Sequence, residues 1–243
     1  HKPGGFGKIT IKEVFEKSSN IGVAMLIDDT FKDKPQNYLN YLKKFGFNDN
    51  FNFQIFGSSK PQIKNYLDST WSKVSLPWIA HGYELMLTPL HTLTFYNAIA
   101  NRGYYFTPHI VKGIENDSIE HRFTRPISTM IDSSLFEIVI KGMQEVVEDE
   151  ELGTSNIAKI ENISVCGKTG TAQNPHGDDH SIYIAFAPKE NPKIAIAVYV
   201  ENGGWGSKWA VPIGTLLIEK YLKKNISNKS QENFILNSKI NNL

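Results

Sequence analysis

In several segments of the first two thirds of the chain apolar residues recur at helical spacing, and in the last third they gather into runs of strand length. Thr10 and Glu13 stand three apart ahead of an apolar stretch. In that arrangement hydroxyl and carboxylate satisfy each other's orphan backbone amides, so a short helix is predicted to about Lys17. Ser18, Ser19 and Asn20 interrupt it, and "IGVAMLIDD" resumes an apolar helix expected to be mostly buried. Pro35 opens a further helix with Tyr38, Leu39, Leu42 and Phe45 on one face and Gly46 at its end. Residues 47–80 are aromatic-rich with no clean period and read as a long loop region with short elements. Thr88 and Pro89 form a cap and first-turn pair before "LHTLTFYNAIAN", which Gly103 terminates. "YYFTPHIVKGI" reads as extended, and Asp132 opens a helix through about Val147.

The last third changes character. "ISVCGKTGTA", "HSIYIAFAP" and "KIAIAVYVEN" are β-rich runs joined by short loops, the pattern of an antiparallel meander. Pro212 is expected to begin a closing helix, "PIGTLLIEKYLKK". Residues 225–243, rich in Asn, Ser and Lys, read as a loose tail in which Phe234, Ile235 and Leu236 could dock. No internal repeat or Gly/Ser/Pro linker divides the rest, so residues 1–224 are expected to form one α+β domain, an antiparallel sheet flanked by helices.

Composition narrows the function classes. With 243 residues, 40% of them hydrophobic, the chain can bury a sizeable core. The 26 basic and 25 acidic residues leave a formal net charge of +1, so no bulk field draws in nucleic acid or an anionic membrane. No run of about 18 apolar residues is present, and the opening "HKPGGFGKIT" carries no targeting pattern, as in a piece of a longer protein. The single cysteine, Cys166, excludes an internal disulfide and reads as a small buried hydrophobe.

Two short motifs could carry chemistry. Lys168, Thr169, Gly170 and Thr171 end the first β run. There an ammonium beside two hydroxyls could hold a carboxylate, while Gly170 removes a side chain from the approach. An edge strand can also pair with an extended peptide through its own backbone groups. Read alone, four such residues more often merely finish a strand, since short motifs recur by accident. Ser18 and Asn20 could relay a proton and hold a substrate amide, or could simply cap a helix. His176, Asp178, Asp179 and His180 fall in a Gly/Pro-flanked loop and read as solvent-facing rather than as metal ligands. Residues 203–208, "GGWGSK", lack the order of a phosphate loop and read as a strand-to-helix turn, with Trp205 or Trp209 lining any cleft beside it. Leu90, Leu93, Thr94 and Asn97 read as core or helix face.

Taken together, "EVFEKSSNIGVAML", "HGYELMLTPLHTLTFYNAIANRGYYFTPHIV", "CGKTGTAQ" and "AFAPKENPKIAIAVYVENGG" resemble, in order and spacing, the C-terminal part of the penicillin-binding protein transpeptidase domain. Residues to about Asn97 are similar to the division-type members, and the later blocks to the elongation-type ones. The resemblance implies a β-lactamase/transpeptidase-like fold, with Ser18 and Asn20 on one wall of a groove and Lys168, Thr169 and Gly170 on the other. It also implies that the Thr171 amide supplies half of an oxyanion hole. Family members form an acyl-enzyme on serine from a D-Ala-D-Ala stem peptide and pass the acyl group to an amine, crosslinking peptidoglycan without a cofactor. β-Lactams mimic that peptide. The resemblance further implies a membrane-anchored parent on the periplasmic face of the inner membrane, with division or elongation proteins as partners.

One feature departs from the family pattern. No Ser here is followed by Lys three residues on; Ser155 precedes Lys159, one place too far. The nucleophile and its base are therefore expected upstream, and this polypeptide alone is expected to be inert toward acylation. Two other functions are compatible with the motifs: a β-lactamase or carboxypeptidase of the same superfamily, although no "ExxLN" pattern is present, and a non-catalytic penicillin-binding sensor or scaffold.

Overall fold

The computed structural model describes residues 5–51, 59–110, 113–116, 119–122, 127–128, 131–151, 153–224 and 232–233. Nearly all of the predicted tail, residues 225–243, lies outside these. Helices α1 (Ile11–Glu16), α2 (Asn20–Phe31) and α3 (Pro35–Lys44) open the chain. Strand β1 (Gln62–Ile63), helix α4 (Ser75–Ala80), strand β2 (Leu85–Met86) and helix α5 (Pro89–Ala100) follow. Next come the short strands β3 (Tyr104–Tyr105), β4 (Gly113–Asn116), β5 (Ile119–Arg122) and β6 (Ile127–Ser128), then helix α6 (Ser133–Glu148). Strands β7 (Cys166–Ala172), β8 (His180–Ala187) and β9 (Ile194–Val200) form an antiparallel meander, and α7 (Ala210–Lys223) closes the fold.

Local chemistry sets most of these boundaries. The predicted capping box is present: Thr10 Oγ1 accepts from the Glu13 amide at 3.2 Å, and the Thr10 amide donates to Glu13 Oε2 at 2.8 Å. Thr88 caps α5 ahead of Pro89, and Asp132 caps α6 by accepting from the Ser134 amide at 2.9 Å. The irregular stretch 47–80 does contain short elements, namely β1 and α4. The closing helix starts two residues before Pro212. Ser181 Oγ, reaching across from β8, accepts the Ala210 amide at 3.1 Å, so the first turn is capped from the sheet rather than by its own sequence.

The sheet is covered on both faces. Tyr183, Ala185 and Ile196 pack against Ala210, Val211 and Ile218 of α7. On the opposite face Cys166 and Phe186 pack against Ile99 and Ala100 of α5 and Phe136, Ile140 and Met143 of α6. Strand alternation assigns these faces, and double coverage explains why residues 183–187 of β8 are all buried. Cys166 is the buried hydrophobe expected: its thiol donates to the Ile140 carbonyl at 3.6 Å, and burial pushes its pKa up to about 12.

The expectation for "IGVAMLIDD" is corrected. None of α2 is buried, and Ile21 and Met25 are 66% and 61% exposed. The helix packs on α4 with α1 and α3 beside it, which covers only part of an apolar circumference.

Candidate active site

The candidate site lies between the bend joining α1 to α2 and the outer edge of β7. Among the described residues β7 pairs with β8 alone, leaving its other edge open. The α1 side of the cleft is fixed by packing on α6. The Phe15 ring lies so close to Gly142 that a Cβ there would meet it at 3.2 Å, and Lys12 Nζ bridges Glu16 at 3.4 Å and Glu145 at 3.3 Å. Burial raises the pKa of the Glu16 carboxyl; neighbouring Glu145 pushes the same way and Lys12 opposes.

Between the two helices Ser18 adopts a left-handed conformation, with φ +53°. An L-residue visits that region sparsely, and here bonds on both sides hold it. The Ser18 amide donates to the Phe15 carbonyl at 3.2 Å and the Ser19 amide to Val14 at 2.9 Å, while Ser19 Oγ caps α2 by accepting from the Gly22 amide at 3.1 Å. Ser19 is thus the cap, and Ser18 is released to face the sheet. Lys168 Nζ donates to Ser18 Oγ at 2.5 Å and to the Thr169 carbonyl at 3.1 Å. Asn20 begins α2 and is exposed.

Strand alternation separates the β7 residues. Lys168 and Gly170 lie on the α5/α6 face with Cys166, whereas Thr169 and Thr171 lie on the α7 face with Gly167. Packing does not demand glycine at 170, where a Cβ would make only ordinary contact with Ile182 at 3.4 Å. Lys168 is half-buried, and desolvation brings its ammonium down from 10.5 to about 8. The arrangement offers a cation of reduced pKa beside a hydroxyl, along a strand edge open to an extended ligand.

Other contacts at the cleft had no signal in the sequence. Thr154, in the turn after α6, lies with its Oγ1 3.0 Å from that of Thr169. The Tyr83 hydroxyl, between α4 and β2, donates to the Gln173 side chain just beyond β7, and Trp78 and His81 flank the Tyr83 ring. The predicted strand-to-helix turn at 203–208 connects β9 to α7, with Trp205 70% exposed. In the β7–β8 loop Asp179 accepts from the Asn174 amide at 3.4 Å, and His180 Nδ1 accepts from the Asn202 amide at 3.1 Å. Among the described residues no three His, Cys, Asp or Glu side chains gather to hold a metal ion, and no helix is long and apolar enough to cross a membrane.

Comparison with known proteins bears on what this geometry belongs to. The family model described as the penicillin binding protein transpeptidase domain matches residues 1–219. The chain belongs to that family. One similar curated protein is the peptidoglycan D,D-transpeptidase PbpA of Mycobacterium tuberculosis, 32% identical over 158 residues, which covers 58% of this chain and 30% of PbpA. Another is the peptidoglycan D,D-transpeptidase MrdA of Haemophilus influenzae, 28% identical over 230 residues, covering 82% and 35% of the two. The chain therefore spans about a third of the length of these relatives. Among solved structures, penicillin binding protein 3 of M. tuberculosis complexed with aztreonam matches with a TM-score of 0.76 at 25% identity, over 88% of this chain and 51% of that one. The penicillin-binding protein transpeptidase fold, helices packed on an antiparallel sheet, is the fold of this chain.

Proposed function

We propose that this chain forms the groove of a serine D,D-transpeptidase that crosslinks peptidoglycan stem peptides by acyl transfer and is a target of β-lactams. The observation that carries the reading is the 2.5 Å contact between Lys168 Nζ and Ser18 Oγ beside an open strand edge. The relatives named D,D-transpeptidases, and a similar structure complexed with aztreonam, support it.

Each residue then has a chemical role. A D-Ala-D-Ala stem peptide lies along β7, its terminal carboxylate held by the hydroxyls of Thr169 and Thr171 in the field of the Lys168 ammonium. Gly170 leaves room for the ligand backbone, and the Thr171 amide faces the developing oxyanion. Ser18 with Lys168 passes a proton to the departing D-Ala amine, and Asn20 holds the amide of the acyl donor. No Ser in these 243 residues is followed by Lys at the third position, so the acylated serine and its base come from residues outside this sequence. The complete protein then acts at the extracytoplasmic face of the membrane with division or elongation proteins. This polypeptide alone does not acylate.

The test is covalent labelling of the complete protein with a fluorescent penicillin, followed by product analysis with a stem peptide and an amine acceptor. A labelled adduct and a crosslinked product are expected. Absence of any adduct overturns the enzyme reading in favour of a scaffold. An adduct that releases its acyl group only to water points instead to a carboxypeptidase or β-lactamase.

A further inference from the structure

Thr169 is reached from outside the sheet by the hydroxyl of Thr154, at 3.0 Å. The turn that carries Thr154 is tied down by its own bonds. Gly153 donates its amide to the Asp149 carbonyl at 2.9 Å, Ser155 to the Val146 carbonyl at 3.1 Å and Glu151 to Asp149 Oδ1 at 2.9 Å. The Asn156 side-chain amide also donates to the Asp149 carbonyl. Val146 and Val147, at the end of α6, are buried and root this turn in the core. Thr154 is therefore presented by a fixed scaffold. From another side Gly206 closes on Thr169: a Cβ there would stand 3.2 Å from the Thr169 Cβ, 2.9 Å from the Gly170 carbonyl and 2.6 Å from the Ile182 carbonyl.

A threonine hydroxyl has one proton to give and lone pairs to accept with. In the Thr154–Thr169 pair either oxygen can be the donor. The choice decides what Thr169 offers at the strand edge. If Thr169 donates to Thr154, it turns lone pairs toward an incoming carboxylate and repels it. If Thr154 donates, the Thr169 proton is free for the carboxylate, and each hydrogen bond in the chain polarises the next.

We propose that Thr154 is a positioning residue. Its hydroxyl donates to Thr169 Oγ1 and thereby aims the Thr169 proton at the carboxylate of the acyl donor. The inference rests on the reading above, in which Thr169 grips that carboxylate, and it assigns Thr154 a part in selecting donors that carry the negative charge.

The test uses the complete protein and measures the acylation rate constant for a labelled penicillin as the free acid and as its methyl ester, with melting temperatures alongside. Thr169→Val is expected to slow acylation by the free acid at least about tenfold, the worth of one hydrogen bond to a charged group. Thr154→Val, which keeps the shape and loses the hydroxyl, is expected to slow it about fivefold, with little effect on the ester. Thr154→Ser is expected to restore the wild-type preference for the free acid. Should Thr154→Val fail to fold, Thr154→Ala is read the same way. A Thr154 variant lacking the hydroxyl that keeps the wild-type ratio of free-acid to ester rates, whether both rates hold or both fall together, overturns the inference while a slowed Thr169→Val leaves the site reading intact. An unchanged free-acid rate in Thr169→Val overturns the site reading itself.

Discussion

Lys168 and Ser18 stand 150 positions apart in the chain, and the amine of one donates to the hydroxyl of the other at 2.5 Å. Neither position is prepared for this by its own segment. The left-handed bend at Ser18 turns a hydroxyl away from helix capping, and the open edge of β7 presents an amine whose other bond is to the Thr169 carbonyl of its own strand. The juxtaposition depends on α1 being held to α6 and on β7 being held to β8. Changes that loosen either support should reach the site without touching it.

The Lys168 amine gives a pH signature. Its pKa falls from 10.5 in the unfolded chain to about 8 in the folded one, through desolvation. Between those values only the unfolded chain holds the proton, so stability rises with pH from about 8 to 10.5. Because the side chain is half-buried, a slope of about 1 kcal/mol per pH unit is expected, below the ceiling of about 1.4 for one whole proton. Urea unfolding across this range should show the rise in wild type and not in Lys168→Met. Parallel curves would contradict the desolvated amine.

Glu16 should act in the opposite sense. Its folded pKa is raised by burial between α1 and α6, with Glu145 adding to the shift and Lys12 opposing it. The folded state therefore keeps a proton that the unfolded chain has released, and stability present at low pH is lost as pH rises through the folded value. Glu16→Gln should melt with wild type near pH 4 and above it at pH 7. A difference that does not vary with pH would show that the carboxyl is not strained by its surroundings.

Gly214 tests the packing of α7 on the sheet. An added methyl there would stand 2.7 Å from Tyr183 Cδ1 and 2.8 Å from Ile196 Cδ1. Alanine improves helix propensity by about 1 kcal/mol, but overpacking a filled core costs about 1–3 kcal/mol. The clash should win, and Gly214→Ala is expected to lower the melting temperature by about 2–6 °C. A rise would mean that α7 sits farther from β8 than described.

What could be read in advance follows the range of the interactions. The capping box at Thr10, the caps of α5 and α6 and the three-strand meander are local, and each is present where its residues predict it. Burial of α2 was not legible, because an apolar composition says nothing about which neighbours arrive to cover it. The start of α7 lies two residues ahead of Pro212 because its cap, Ser181, is on a strand distant in sequence. At the site, the pairing of the Ser18 and Lys168 walls came through resemblance to a family. Thr154 and the Tyr83–Gln173 contact carry no local pattern and come from tertiary packing alone.

The most direct test of the part proposed for Lys168 in holding the acyl donor is the rate of covalent labelling by a fluorescent penicillin in the complete protein. Lys168→Ala is to be compared with Lys220→Ala, an exposed site on α7. Loss of a charged hydrogen bond of about 1.5–3 kcal/mol predicts a rate about 10- to 100-fold lower for Lys168→Ala and unchanged for Lys220→Ala. Equal rates for the two variants would contradict the assignment of the β7 edge as the place where the acyl donor is held.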